Sequence, residues 1–173
     1  MSWKIDPSHT LIEFSAKHLM ITTVRGHFKS FDGSIQLNEE QPEASYVEGT
    51  VDVASIDTNE SQRDNHLRSP DFFDVENYPA MGFRSTRVEF LGGDRFKVHG
   101  DLTIKDVTRE VVFDVTDEGQ VQDPWGNKRW GFGGTTRLNR KDFGLTWNVA
   151  LEAGGWLVGD EIKVSIELQL VQE

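Results

Sequence analysis

Along most of the chain, hydrophobic and polar residues alternate with a period of two. In LIEFSAKH, Ile12, Phe14, Ala16 and His18 fall on one face, and RFKVHGDLTI aligns Phe96, Val98, Gly100, Leu102 and Ile104. EVVFDV brings Val111, Phe113 and Val115 together, and RWGFGGTTRLN brings Trp130, Phe132, Gly134, Thr136 and Leu138 together. DEIKVSIELQLV closes the series with Ile162, Val164, Ile166, Leu168 and Leu170. Successive side chains of a strand face opposite sides, so this pattern predicts half-buried antiparallel strands. Further strands are expected over 31–37, 46–53, 81–91 and 143–151. Turn chemistry separates the runs, with GGD at 92–94, DPWGN at 123–127 and AGG at 153–155,. The spacing favours hairpins joined in sequence, an up-and-down meander of about eight strands. Such strands form a sandwich or a closed barrel, and closure removes the exposed edges.

One segment, TNESQRDNHLRSPDFF, breaks the alternation. Thr58 and Asn59 are capping residues, Gln62 stands three after Asn59, and Pro70 ends the run,. Asp64 and Arg68 are spaced to pair at i, i+4. With Leu67 as its only large apolar residue before the proline, this helix, around 59–68, should lie across the outside or one end of the barrel. A second turn is expected near 18–23. No repeat, low-complexity tract or linker divides the chain, so a single domain over 1–173 is expected,.

Composition narrows the possible partners. Acidic residues outnumber basic ones, 29 against 18, giving a net charge of −11. That balance argues against nucleic acid, and the sequence shows no local basic cluster for docking on anionic lipid. There is no cysteine and hence no disulfide or thiolate chemistry,. No apolar run is long enough to span a bilayer, so no stable membrane insertion is expected. The first ten residues, MSWKIDPSHT, lack an apolar signal core, and a cytoplasmic location is the expectation,.

Catalytic and metal patterns are weak. His9, His18 and His27 are nine apart. Along one strand that spacing turns successive imidazoles to opposite faces and separates them by roughly 30 Å. No HExxH pair, GxSxG elbow or phosphate-cradling glycine loop occurs. Arg63 and Asp64, like Arg140 and Asp142, read as architectural charges, and no cofactor is expected. The aromatic content, eleven Phe, five Trp and two Tyr, is more informative. Half of it would fill a core, but an eight-stranded barrel either packs shut or holds one small ligand. Phe14 followed by Ala16, Phe83 by Ser85, and the mix of large and small residues from Trp130 to Leu138 leave room for a channel.

The blocks WKIDPSHTLIEFSAKH, VRGHFKSFDGSI, SIDTNESQRDNHLRSPDFFDVENYP, DLTIKDVTREV and LNRKDFGL, in this order, resemble the YceI-like family, lipocalin-like proteins that bind polyisoprenoids or related apolar chains. The RDNHL, DFFDV and YP cluster is the most specific. One departure is Asp106, where the family pattern has glycine; Asp tolerates left-handed backbone, so the hairpin should survive. The resemblance implies an all-β, lipocalin-like antiparallel barrel that sequesters or transports a polyisoprenoid, an isoprenoid quinone or another long-chain lipid without catalysis, as a homodimer. Many members carry a leader and work in the periplasm.

On that basis the expected lining is Phe14, Ala16, His18, Leu19, Met20, Ile21, Val24, Phe72, Phe73, Met81, Phe83, Leu102, Ile104, Phe113, Trp130, Phe132, Leu138, Phe143 and Trp147. His18 is a polar partner for a head group, and HLMITT lines or lids the mouth. Two alternatives stay open at this point: a lipid-modifying or hydrolytic enzyme using the same channel, and a ligand-free, stress-related interaction module with a packed interior.

Overall fold

In the computed structural model, residues 2–151 and 157–173 are described. The alternating runs form antiparallel strands: β1 (Trp3–Ile5), β2 (Leu11–His18), β3 (Thr22–Phe28), β4 (Phe31–Gln36), β5 (Tyr46–Asp52), β6 (Ile56–Asp57), β7 (Ala80–Gly92), β8 (Arg95–Ile104), β9 (Val107–Gln122), β10 (Lys128–Asn139) and β11 (Glu161–Gln172). The sheet runs β4-β5-β7-β8-β9-β10-β11-β2-β3-β6, with β1 also paired to β11. Among the described residues the strands number eleven rather than about eight because three paths are interrupted. A 3₁₀ turn at Pro7–His9 divides β1 from β2, both on the same partner β11, and Lys29 and Ser30 divide β3 from β4. A second 3₁₀ turn, Val53–Ser55, divides β5 from β6.

These interruptions also bring the two ends of the sheet together. β4 pairs with β5 while β3 pairs with β6, and between them the Asp52 amide donates to the Ser30 carbonyl at 2.9 Å. The antiparallel sheet thus curls round into a barrel with no long free edge. Two packed clusters flank the interior. One holds Phe28, Val53 and Ile56, the other Ile104, Val111, Phe113, Phe143 and Leu145, and Phe73 and Met81 pack against both.

Helix α1 spans Ser61–Arg68. Its N-cap is Glu60, whose carboxylate accepts from the Arg63 amide, rather than Thr58 or Asn59; Asn59 instead takes left-handed backbone, φ 64°. Asp64 does not pair with Arg68. It accepts from the Thr58 amide (2.9 Å) and hydroxyl, and Arg63 Nε donates to the same hydroxyl at 2.7 Å. Arg68 reaches instead to the Ala54 and Ile56 carbonyls, tying the helix to β6.

Two further expectations are corrected. At the β8–β9 hairpin the left-handed residue is Lys105 (φ 57°), not Asp106. Residues 143–151 form no strand: Phe143 closes a 3₁₀ turn (Arg140–Phe143) and the chain then runs irregularly along the barrel end. The turn expected at 153–155 lies outside the described residues.

The barrel end away from α1 is fastened by a charged triad. Arg129 sits between Asp6 (2.7 Å) and Asp123 (2.8 Å). Burial opposes ionisation of Asp123. Donation from Arg129 and from the Asn127 and Trp125 amides outweighs it and lowers the Asp123 pKa to about 2,. Because this value lies below the unfolded one, Asp123 stabilises the fold above the ordinary carboxylate range and loses that contribution as pH falls towards 2. The urea midpoint should therefore drop between pH 5 and pH 2, and the drop should be smaller in Asp123→Asn. An equal drop in both proteins would contradict this assignment.

Candidate functional site

The interior of the barrel is hollow. A cavity of about 940 Å³ runs between its two ends, at the upper end of the range for small-molecule sites,. Inward-facing residues such as Phe14, Phe83 and Leu102 are only half buried, because they face this space rather than one another.

The parity of the strands sets the walls. β2 and β3 contribute Phe14, Ala16, His18 and Val24; β7 and β8 contribute Met81, Phe83, Leu102 and Ile104. β9 and β10 contribute Phe113, Trp130, Phe132 and Leu138. Phe72 and Phe73 follow α1, while Phe143 and Trp147 come from the irregular segment at the barrel end. All of these border the cavity.

Leu19, Met20 and Ile21 do not. The wall ends at His18, and the chain turns outward there, with Leu19 and Met20 in left-handed backbone (φ 53° and 63°). Their exposures are 39%, 62% and 75%, so this stretch is the tip of the β2–β3 hairpin and not part of the lining. Thr136 shares the inward parity of β10 but lies outside the lining, its hydroxyl donating to the Val112 carbonyl at 2.8 Å.

Close aromatic packing shapes the walls at two glycines. A Cβ on Gly26 would come within 2.4 Å of the Phe14 ring, and one on Gly100 within 2.4 Å of Phe83 and 2.6 Å of the Arg84 carbonyl. Glycine at these positions lets each ring lie flat across the neighbouring strand. Gly134 is different: a Cβ there would meet only Val115 and Phe113, at 3.7 and 3.8 Å.

Polar residues bordering the cavity at the α1 end include His18, Thr58, Glu60, Gln62, Arg63, His66 and Arg140, while Lys17 touches the rim with its ammonium outside, donating to Thr23. His66 lies edge-on to Trp147 (4.5 Å between centroids) and to Phe72 (5.1 Å), with Nε2 2.9 Å from Asp71. The sequence gives no periodic cue for His66 or Arg63, since each owes its place to where the helix crosses the barrel end. Ile162, Val164, Ile166 and Leu168 also line the cavity, and their alternation in β11 is the signal that marks them.

Arg140 is 3% exposed and acts as a clasp on this end. Its guanidinium donates to the carbonyls of Leu145 (2.6 Å), Trp147 (2.9 Å) and Gly159 (3.0 Å). Burial lowers its pKa from the ordinary arginine value, and Asp160, 3.7 Å away, opposes that shift. Elsewhere, His9 holds Asp6 at 2.8 Å, and His27 stands across from Asp57. Among the described residues no group of three or more His, Asp or Glu side chains is placed to hold a metal ion.

A closed antiparallel barrel with a long, largely apolar interior defines the class: a lipocalin-like β-barrel. Residues 3–170 match the YceI-like domain, and the chain belongs to that family. UPF0312 proteins of Pseudomonas putida F1 and Vibrio cholerae El Tor Inaba N16961 are each 41% identical to it. The matches span 145 residues (83% of this chain, 76% of the relative) and 138 residues (80% and 73%). A Campylobacter jejuni YCEI protein superposes with a TM-score of 0.77 at 30% identity, over 91% of this chain and 90% of that one. The fold is also that of a polyisoprenoid binding domain from Saccharophagus degradans, with a TM-score of 0.70 at 12% identity over 98% of both chains.

Proposed function

We propose that this protein binds and carries a long-chain apolar lipid, a polyisoprenoid or isoprenoid quinone in class, without transforming it. The observation that carries this reading is the apolar cavity of about 940 Å³ running the length of the barrel. From Trp130 to Leu138 the lining of β10 alone extends roughly 26 Å at about 3.3 Å per residue, a shape suited to a chain rather than a compact molecule. Each methylene moved from water to such walls is worth roughly 0.8 kcal/mol, although ordering a flexible chain consumes much of that gain. His18, Arg63 and His66 offer hydrogen bonds to a polar head at the α1 end. The Saccharophagus degradans domain, whose description names polyisoprenoid binding, supports the same class.

Native mass spectrometry of protein purified from its own cells, followed by organic extraction, tests this. A stoichiometric long-chain isoprenoid or quinone is the expected result. A protein mass that stays unchanged on adding isoprenoids, quinones and fatty amides would overturn it.

A further inference from the structure

The hairpin tip that the cavity does not use stands beside its α1 end. Leu19, Met20 and Ile21 expose their side chains, and the Leu19 amide donates to the Leu157 carbonyl (2.9 Å). The Leu157 amide in turn donates to Val149, which is itself 46% exposed. Three large apolar side chains thus share one projection, and the exposed Val149 is tied to it through the backbone of Leu157. The projection's left-handed backbone at Leu19 and Met20 is unfavourable for bulky residues,.

Charge is arranged around this tip in a way the sequence does not reveal. Lys163 on β11, Ser15 on β2 and Arg25 on β3 are cross-strand neighbours, and Lys17 lies one step nearer the tip, opposite Thr23. Lys17, Arg25 and Lys163 are exposed on the outer face, and among the described residues none has an ion-pair partner. Nearby acids are engaged elsewhere, Glu161 by Arg137 and Asp160 by Lys141. Glu13, farther from the tip, stands opposite His27. The far end of the barrel mixes both signs, with Asp94, Asp117, Glu118 and Asp123 beside Arg95, Lys128 and Arg129. At physiological salt a surface responds mainly to charges within about 8 Å of it, so the tip is governed by this basic row more than by the net charge of −11,.

We propose that the β2–β3 hairpin tip docks this protein transiently on an anionic phospholipid bilayer, with Leu19, Met20 and Ile21 among the acyl chains and Lys17, Arg25 and Lys163 against the headgroups. An exposed apolar tip backed by basic residues is the pattern of reversible interfacial binding. Among the described residues no helix is long and apolar enough to cross a membrane, and the docking requires none. In this pose the α1 end of the cavity faces the bilayer. The docking does not depend on which lipid the cavity holds.

Flotation with vesicles of phosphatidylcholine alone and of an equimolar mixture with phosphatidylglycerol tests it. Wild type should float with the mixed vesicles, at least about tenfold more than with phosphatidylcholine and less as salt rises, because each basic residue near an anionic surface is worth roughly fivefold. M20S/I21S and K17Q/R25Q/K163Q should each lose about tenfold or more with unchanged unfolding temperatures. Gly134→Phe, which fills the cavity, should float like wild type. Wild type that fails to float, tip variants that float equally, or loss of flotation in Gly134→Phe would each overturn the proposal, the last by placing the contact inside the barrel.

Discussion

Replacing Arg140 with alanine is expected to destabilise the protein by about 3–5 kcal/mol, the loss usual when one partner of a buried charged network is removed. For a domain of this size that corresponds to an unfolding temperature lower by roughly 10 °C. The geometry explains why so much hangs on one side chain. Among the described residues no strand pairs with 144–149, so the Leu145 and Trp147 carbonyls rely on the guanidinium, as does Gly159 on the returning chain. Without it these carbonyls are left unpaired at the barrel end, and Asp160 keeps Lys141 alone,. Arg140→Lys should recover little, since one ammonium cannot address three carbonyls set around a planar fork. Calorimetry of the three proteins checks this; an alanine variant within about 1 kcal/mol of wild type would contradict the clasp.

The second large effect is on ligand binding. Gly134 is the point in β10 where the wall leaves most room, with no atom closer than 3.7 Å to a built Cβ. A phenylalanine there should project its ring into the channel without disturbing the backbone, and the apparent affinity for a long-chain isoprenoid should fall about a hundredfold. That is the order of losing several buried methylenes. Gly134→Ala should stay within a few-fold. Quenching of tryptophan fluorescence by added isoprenoid, using Trp130 and Trp147 in the lining, reads the difference directly. Equal affinity in Gly134→Phe would move the bound chain out of this cavity.

Much of this architecture can be read from alternation alone. The inward faces of β2, β8, β10 and β11 follow from parity, because a strand with one hydrophobic face has one sensible orientation in a barrel. What escaped is what periodicity does not encode. Residues 143–151 look like a strand because Phe143, Leu145 and Trp147 alternate, and these three do border the cavity. Their backbone partner, however, is an arginine fork and not another strand. Leu19, Met20 and Ile21 look like lining by composition, yet the turn begins one residue after His18. The three strand interruptions and the basic row of Lys17, Arg25 and Lys163 are properties of neighbours across the sheet, invisible along a single segment.

The pairing of β1 with β11 carries a consequence for how the molecule is made. Trp3 lies opposite Gln172, and the Glu173 amide donates to the Ser2 carbonyl at 3.0 Å. The last seam of the barrel thus joins stretches separated by nearly the whole chain. Until β11 has formed, β10 and β2 present unpaired edges, and the apolar walls that later face the cavity are open to water. Assembly governed by such distant pairings belongs to the slow regime of milliseconds to seconds. A nascent barrel of this kind spends that time as an open, sticky sheet, so the hollow interior that suits a greasy cargo is also the chain's main exposure to misassembly on the way to the native state.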